Sequence, residues 1–387
     1  MAALAVRGAG ITLGLAGVLF SGTAAHGAVV PAAAAEQRTG WGIVPSPNGP
    51  GATGNTLVQV SASSAADAWA VGYDYNAVAG AFRTMIQRWD GSAWTLVRSP
   101  DPSASDDVLY GVDSLSASDA WAVGYDLAGG YHQALIEHWD GAAWRVVPAP
   151  RPGTRDSDLW GVTALGPADV WAVGNERTGA GSFRFRPLVE HWNGAAWTLV
   201  RVPSPPLTGV GASLSGIAAT SPRDIWAVGN YDTGARFQPL IEHWNGIRWS
   251  LIPAPAPGSA LLSRISLSAP GNGWAVGIRE GRGSASQALI EHWNGQHWTV
   301  AGSPMVNGSA LADVLALTPH LAWTVGSYAL PHGRTHTLIE RWDGRAWTVT
   351  PSPNRGHASG LLGIAGTQRN LWSAGYTPTS TLILRYS

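Results

Sequence analysis

The chain of 387 residues contains no cysteine. It can therefore form no disulfide framework, no thiol nucleophile and no lipoprotein anchor, so stability outside a cell must come from packing alone. Charge is scarce as well. Charged residues make up 13% of the chain, the formal net charge is −1, and no run of Lys or Arg occurs. The electrostatic footprint of a nucleic-acid or anionic-membrane binder is thus missing, and neither partner is expected. Signatures of catalysis are missing too: there is no Gly-x-Ser-x-Gly elbow, no His-Glu-x-x-His and no phosphate-cradling loop. No cofactor, metal ion or catalytic residue is expected from the sequence. Long apolar runs are absent. The stretch from Ala9 to Phe20 is too short to cross a bilayer as a helix. With Arg7 before it and small residues from Ser21 to Ala28 after it, it has the layout of a secretory signal. Residues 1–28 read as a signal peptide with cleavage near 25–35, and residues 29–40 as a short flexible segment. The expectation is a secreted monomer, extracellular or associated with the cell surface, with no membrane span in the mature chain.

What is present is turn residues and tryptophan: 49 Gly, 26 Pro and 21 Trp. A chain of this length would ordinarily divide into two or three domains unless it is built of repeats. It is built of repeats. The segment Asp67-Ala68-Trp69-Ala70-Val71-Gly72 recurs, with changes, around Trp121, Trp171, Trp226, Trp274, Trp323 and Trp372, at intervals of 48 to 55 residues. A second element, Ile136-Glu137-His138-Trp139-Asp140-Gly141-Ala142-Ala143-Trp144, follows each of the first six copies with its tryptophan pair preserved. After Trp372 only its first half remains, Leu382 to Tyr386. The missing half stands at the other end of the chain, where Trp41 to Pro47 matches Trp347 to Pro353.

Seven repeats of about 50 residues predict an all-β, seven-bladed β-propeller over residues 41–387, with the N-terminal strand completing the last blade. Each repeat reads as four strands, a to d, of the types Leu109 to Leu115, Ala120 to Val123, Ala134 to Trp139 and Trp144 to Val147. On strand b the two-residue alternation places Ala120 and Ala122 on one face and Trp121 and Val123 on the other, a small face and a bulky face suited to stacked blades. Strands c and d are joined by Asp-Gly or Asn-Gly, residues suited to the positive φ of a tight hairpin.

On these two elements the repeat resembles the kelch-type blade, as in the central domain of galactose oxidase. Trp121 to Gly124 stands where kelch has its strand and diglycine, and Trp139-Asp140 to Trp144 at its turn and Trp. The second glycine is absent and Trp replaces Tyr. The resemblance implies a fold and no activity, since the copper chemistry of galactose oxidase uses a Tyr crosslinked to Cys. The Asp-Gly-x-x-Trp turns are also similar to the Asp-boxes of sialidase-type propellers, where their role is structural.

Of the 21 tryptophans, 20 occupy repeat positions, and a structural duty is expected of them, including the strand b set Trp69, Trp121, Trp171, Trp226, Trp274, Trp323 and Trp372. Trp160 stands outside the pattern, where the preceding blade has Tyr110. Packing in place of Tyr110 is the leading expectation for it, and the floor of a pocket near the axis is the alternative. The Glu-His pairs at 137/138, 190/191, 242/243 and 291/292 suggest metal ligands, yet neighbours on a strand point to opposite faces and cannot reach one ion, so a structural role between blades is expected. Acids at 106, 107, 113, 156 and 158 enter strand a of early blades, whereas Arg264, Arg279, Arg282, Arg334 and Arg355 are read as lying in later loops. Solvated loop charge is the expectation for these groups, with a carboxylate pair or a calcium site near the axis as the alternative.

Strand alternation puts the b-to-c and d-to-a connections on one face and the a-to-b and c-to-d connections on the other. The second set is short and repetitive. The first varies in length and sequence, as in Tyr73 to Phe82, Asn175 to Phe185 and Ser327 to Thr335, which is the property a binding surface needs. Candidate ligand-binding residues on this face are Asp126, Trp160, Arg184, Arg279 and Arg334. The leading expectation is an extracellular recognition module for a polysaccharide, cell-envelope polymer or protein. The alternatives are a secreted glycoside hydrolase or lyase with its site on the same face, and a structural surface protein.

Overall fold

In the computed structural model, the described residues are 40–150, 156–178, 184–205, 209–255, 258–281, 286–304 and 308–387. The signal-peptide reading of residues 1–28, most of the 29–40 segment and Arg282 lie outside them. Among the described residues no helix is long and apolar enough to cross a membrane.

The chain forms seven four-stranded antiparallel sheets, each in the order a-b-c-d. Blades 1 to 6 span residues 52–97, 107–146, 157–199, 212–251, 260–300 and 309–349. Blade 7 takes three strands from residues 360–386 and its outer strand from Trp41–Val44. Trp41 pairs with Tyr386 and Val44 with Ile383, so the ring is closed by hydrogen bonds between the two ends of the chain. Ser46 and Pro47 extend this closure: the Ser46 hydroxyl lies 2.7 Å from that of Thr381, and the Pro47 carbonyl accepts from Gln87 of blade 1 at 2.8 Å.

Tryptophan holds adjacent blades together. The strand b ring of each blade packs against the strand c and strand d rings of the next, as Trp69 does with Trp139 and Trp144. Around the ring the b-to-c centroid distances are 4.7–5.3 Å and the b-to-d distances 5.0–6.0 Å. Tyr386 takes the strand c place in blade 7. These edge-to-face and tilted contacts suit the quadrupoles of the rings and bury large apolar areas. A basic side chain covers each strand b ring: His138, His191, His243 and His292 at 4.1–4.2 Å, and Arg88, Arg341 and Arg385 at 4.9–5.6 Å. The histidines also bond to the start of strand b, at 2.8–2.9 Å from Asp119, Asp169, Asp224 and Asn272.

The glutamate preceding His138, His191, His243, His292 and Arg341 faces the preceding blade and is fully buried at 137, 190, 242, 291 and 340. The Ser99 hydroxyl, at the exit of blade 1, donates to Glu137 at 2.9 Å, and Ser303 does the same for Glu340 at 3.2 Å. Ala149 and Val202 occupy the corresponding exits before Glu190 and Glu242, whose carboxylates have no hydrogen-bond partner among the described residues.

The hairpin turns behave as their sequence suggests, with one refinement. Only the glycine takes positive φ, 90–96° at Gly91, Gly141, Gly194, Gly246, Gly295 and Gly344. The preceding Asp or Asn accepts from the two amides beyond it, as Asp140 does from Ala142 and Ala143 at 2.9 Å.

A second invariant glycine has a different cause. Every strand a carries a β-bulge one residue after a buried leucine, at Val58, Tyr110, Trp160, Ser215, Ser263, Ala312 and Leu362. Opposite it, the glycine that ends the Trp-Ala-Val-Gly segment lies against a strand a carbonyl. A Cβ on Gly124 would lie 1.8 Å from the Val108 oxygen, and all seven blades show the same approach at 1.8–2.0 Å.

Candidate functional site

Strand a is innermost in each blade, and successive a strands pack on one another around the axis. The bulge interrupts strand a at the same level in every blade, so seven bulged residues encircle the axis below the variable connections. Five of the seven are Val58, Ser215, Ser263, Ala312 and Leu362; only blades 2 and 3 place aromatics there. Tyr110 and Trp160 stack at 4.3 Å with 25° between their planes. Both are half-buried.

Side chains from the ends of strand b and the start of strand c extend this pair. Tyr125 lies 5.9 Å from Tyr110, and His132 stacks on Tyr125 at 4.0 Å and 7°. His132 Nδ1 is 2.7 Å from Asp158 Oδ1. The Asn175 amide donates to the other oxygen of Asp158 at 3.3 Å, and Asn175 Oδ1 accepts from Trp160 Nε1 at 2.8 Å and from Ser213 at 3.0 Å. Trp160 is therefore held by its ring face and by its indole N–H, which fixes its orientation. Burial lowers the affinity of His132 for its proton, but the hydrogen bond and charge of Asp158, with the charges of Asp156 and Asp106, together outweigh this, and the net pKa is raised. Burial pushes the Tyr110 phenol well above its ordinary value, with Tyr125, Tyr73 and Asp158 adding to it; burial raises Tyr73 and Tyr376 too. The phenols near the axis stay neutral and offer O–H groups and ring faces.

The sector is asymmetric. After the strand b glycine, blades 7, 1 and 2 carry Tyr376, Tyr73 and Tyr125, while blades 3, 4 and 6 carry Asn175, Asn230 and Ser327. An aromatic arc thus faces an arc of amides and hydroxyls. Asn230 is buried, and its side-chain oxygen has no partner among the described residues.

The five candidates from sequence all fall on this face and are spread over four blades. Trp160 alone lies at the axis. Asp126 is half-buried at the end of strand b in blade 2, and Arg279 holds the corresponding place in blade 5. Arg184 and Arg334 are exposed at the rim, where strand c begins in blades 3 and 6. Tyr110, Tyr125, His132 and Asn175 were not singled out by sequence. For Tyr110 a signal was present, the contrast at the bulge position, aromatic in two blades and small or aliphatic in five; Tyr125, His132 and Asn175 carry no such contrast.

Two readings of the charges are corrected. Arg264 and Arg279 are not in loops: Arg264 lies in strand a of blade 5, within Ala260–Ala269, and points across the axis, and Arg279 lies in strand b of that blade, within Asn272–Glu280. Asp107 and Asp158 are buried and paired, the former with Arg83 at 3.1 Å and the latter with His132, and are not solvated loop charges. Burial, with Ser103 opposing it, moves the Asp107 carboxyl up to about 6. Asp113 joins three blades, accepting from Ser61 of blade 1 at 3.1 Å and from the Ala164 amide of blade 3 at 2.9 Å.

No protein-family model matches the chain, and no curated protein matches it. Solved structures match its fold. YCF48 bound to D1 peptide is similar over 91% of this chain and 96% of its own, at 16% identity and a TM-score of 0.55. The WD40 propeller domain of Doa1 is similar over 90% and 97%, at 10% identity and 0.57. A polysaccharide lyase of family PL25, an ulvan lyase bound to -[GlcA(1-4)Rha3S]-, is similar over 86% and 94%, at 12% identity and 0.54. At these identities the likeness is one of fold.

Proposed function

We propose that this protein is a secreted recognition module that binds an extracellular polymer, foremost a polysaccharide, on the face carrying the variable connections. The observation that supports it best is the Tyr110–Trp160 stack at the axis of that face. A pyranose presents an apolar C–H face to an aromatic ring and hydroxyls at its edge, and here an aromatic arc is set opposite Asn230, Ser213 and Asn175. The neighbours of the fold include one that binds a peptide and one that binds an oligosaccharide, and the propeller serves both. The kelch-type resemblance adds a scaffold to this proposal and no chemistry.

A second reading, a carbohydrate-active enzyme, is favoured by one feature. The His132–Asp158 pair beside Tyr125 gives a titratable donor next to the platform.

The test is a glycan and polymer array on the mature protein, with hydrolysis and elimination assays on every hit. Binding weakened about tenfold or more by Trp160→Ala and untouched by Ala142→Arg on the opposite face supports the module. Product formation that Asp158→Asn removes supports the enzyme. Hits that respond to Ala142→Arg and not to Trp160→Ala would sink both.

A further inference from the structure

A β-bulge takes a residue out of the ladder, and a carbonyl freed in this way inside a protein needs another donor. Four of the seven bulge carbonyls share a single one. Arg264 Nη2 donates to the Tyr110 oxygen at 3.3 Å and to the Trp160 oxygen at 3.2 Å, and Nη1 donates to the Ser263 oxygen at 3.2 Å and to that of Ser215. These are the bulged residues of blades 2, 3, 4 and 5 in succession. One guanidinium in blade 5 thus ties together four inner strands.

The residue following the bulge in blades 2, 3 and 4 is glycine, and this keeps the path open. A Cβ on Gly216 would lie 2.8 Å from Arg264 Cα, one on Gly161 3.3 Å from the Ser215 oxygen, and one on Gly111 3.2 Å from the Trp160 oxygen. Arg264 lines an axial cavity of about 50 Å³ together with Asp313 and Gln59. Asp313 is held by the amides of Val314 and Ile364 at 2.8 and 2.9 Å, and it supplies the nearby negative charge that favours the cation.

We propose that Arg264 is the positioning residue of the Tyr110–Trp160 platform, holding the two bulges whose backbone direction aims both rings at the ligand. This rests on the platform being the binding site, as proposed above. Lysine cannot replace it, because an ammonium is a point charge with three donors and cannot span four carbonyls as the planar fork does.

The test reads the platform directly and needs no ligand. The protein is labelled with 5-fluorotryptophan, and its 19F resonance for Trp160 is assigned by Trp160→Phe, those of Trp121 and Trp226 by the same substitution. Spectra of wild type, Arg264→Lys and Arg264→Met are taken well below the melting temperature of each. The expected result is a Trp160 resonance displaced beyond its linewidth in Arg264→Met and less so in Arg264→Lys, with Trp121 and Trp226 unmoved. A Trp160 resonance that stays in place in Arg264→Met, or one that moves only together with Trp121 and Trp226, would overturn the proposal. A blank glycan array accompanied by a displaced Trp160 resonance would refute the binding function and leave the positioning role standing.

Discussion

Glu190 offers a test of the packing between blades, because burial and the nearby Glu176 push its carboxyl up from an ordinary 4.5 to about 8. The group is fully buried, and Ala149 stands where Ser99 supplies a hydroxyl to Glu137 in the blade before. Below pH 4.5 the carboxyl is protonated in the folded and the unfolded chain alike, and its contribution to stability is intact. Between 4.5 and 8 the unfolded chain loses the proton while the folded one keeps it, so stability falls by about 1.4 kcal/mol per pH unit. That is about 3 kcal/mol by pH 7 and about 5 kcal/mol by pH 8, of the order of a typical domain's whole margin. Glutamine has nearly the same shape and does not titrate. Glu190→Gln is therefore expected to gain on wild type progressively from pH 5 to 8, with little difference at pH 4.5. Chemical denaturation at half-unit pH steps would measure it, the variant lacking one proton's worth of slope. Parallel pH profiles for the two proteins would refute the reasoning and place Glu190 in contact with water.

Other outcomes follow from the same contacts. Ala149→Ser, which restores to Glu190 the hydroxyl that Glu137 has, should stabilise by about 1 kcal/mol at pH 8, read from the same denaturation curves. Trp226→Ala empties the centre of a ring triad and should cost on the order of 3 to 5 kcal/mol; an unchanged melting point would contradict the inter-blade role of these rings. Deleting residues 1–47 strips the outer strand from blade 7 and exposes its edge, so light scattering should show aggregation on heating at a lower temperature than for the mature protein. Trp160→Ala should weaken any array hit by about tenfold or more, the worth of one aromatic stack, while leaving melting within a few degrees.

The repeat period, the strand b and strand c elements and the divided last copy are all local patterns, and they alone determined seven blades, four strands and closure by Trp41 to Val44. The face that varies was legible for the same reason, since strands must alternate in direction. Trp160 stood out because it broke the pattern. What the pattern could not contain is whatever depends on residues of different blades meeting at one axis. The bulge leaves no mark in composition, because Tyr110, Ser263 and Leu362 share nothing but their place after a buried leucine. Arg264 looks like any loop arginine until four strands, separated by as many as 154 residues, bring their freed carbonyls to it. The inner glycines and the depressed proton affinity of that guanidinium have the same origin: space and dielectric near the axis are set by all the blades at once. Likewise the contrast between Glu137 and Glu190 comes from the exit of the neighbouring blade, Ser99 in one case and Ala149 in the other, a contact that exists only once the blades are stacked.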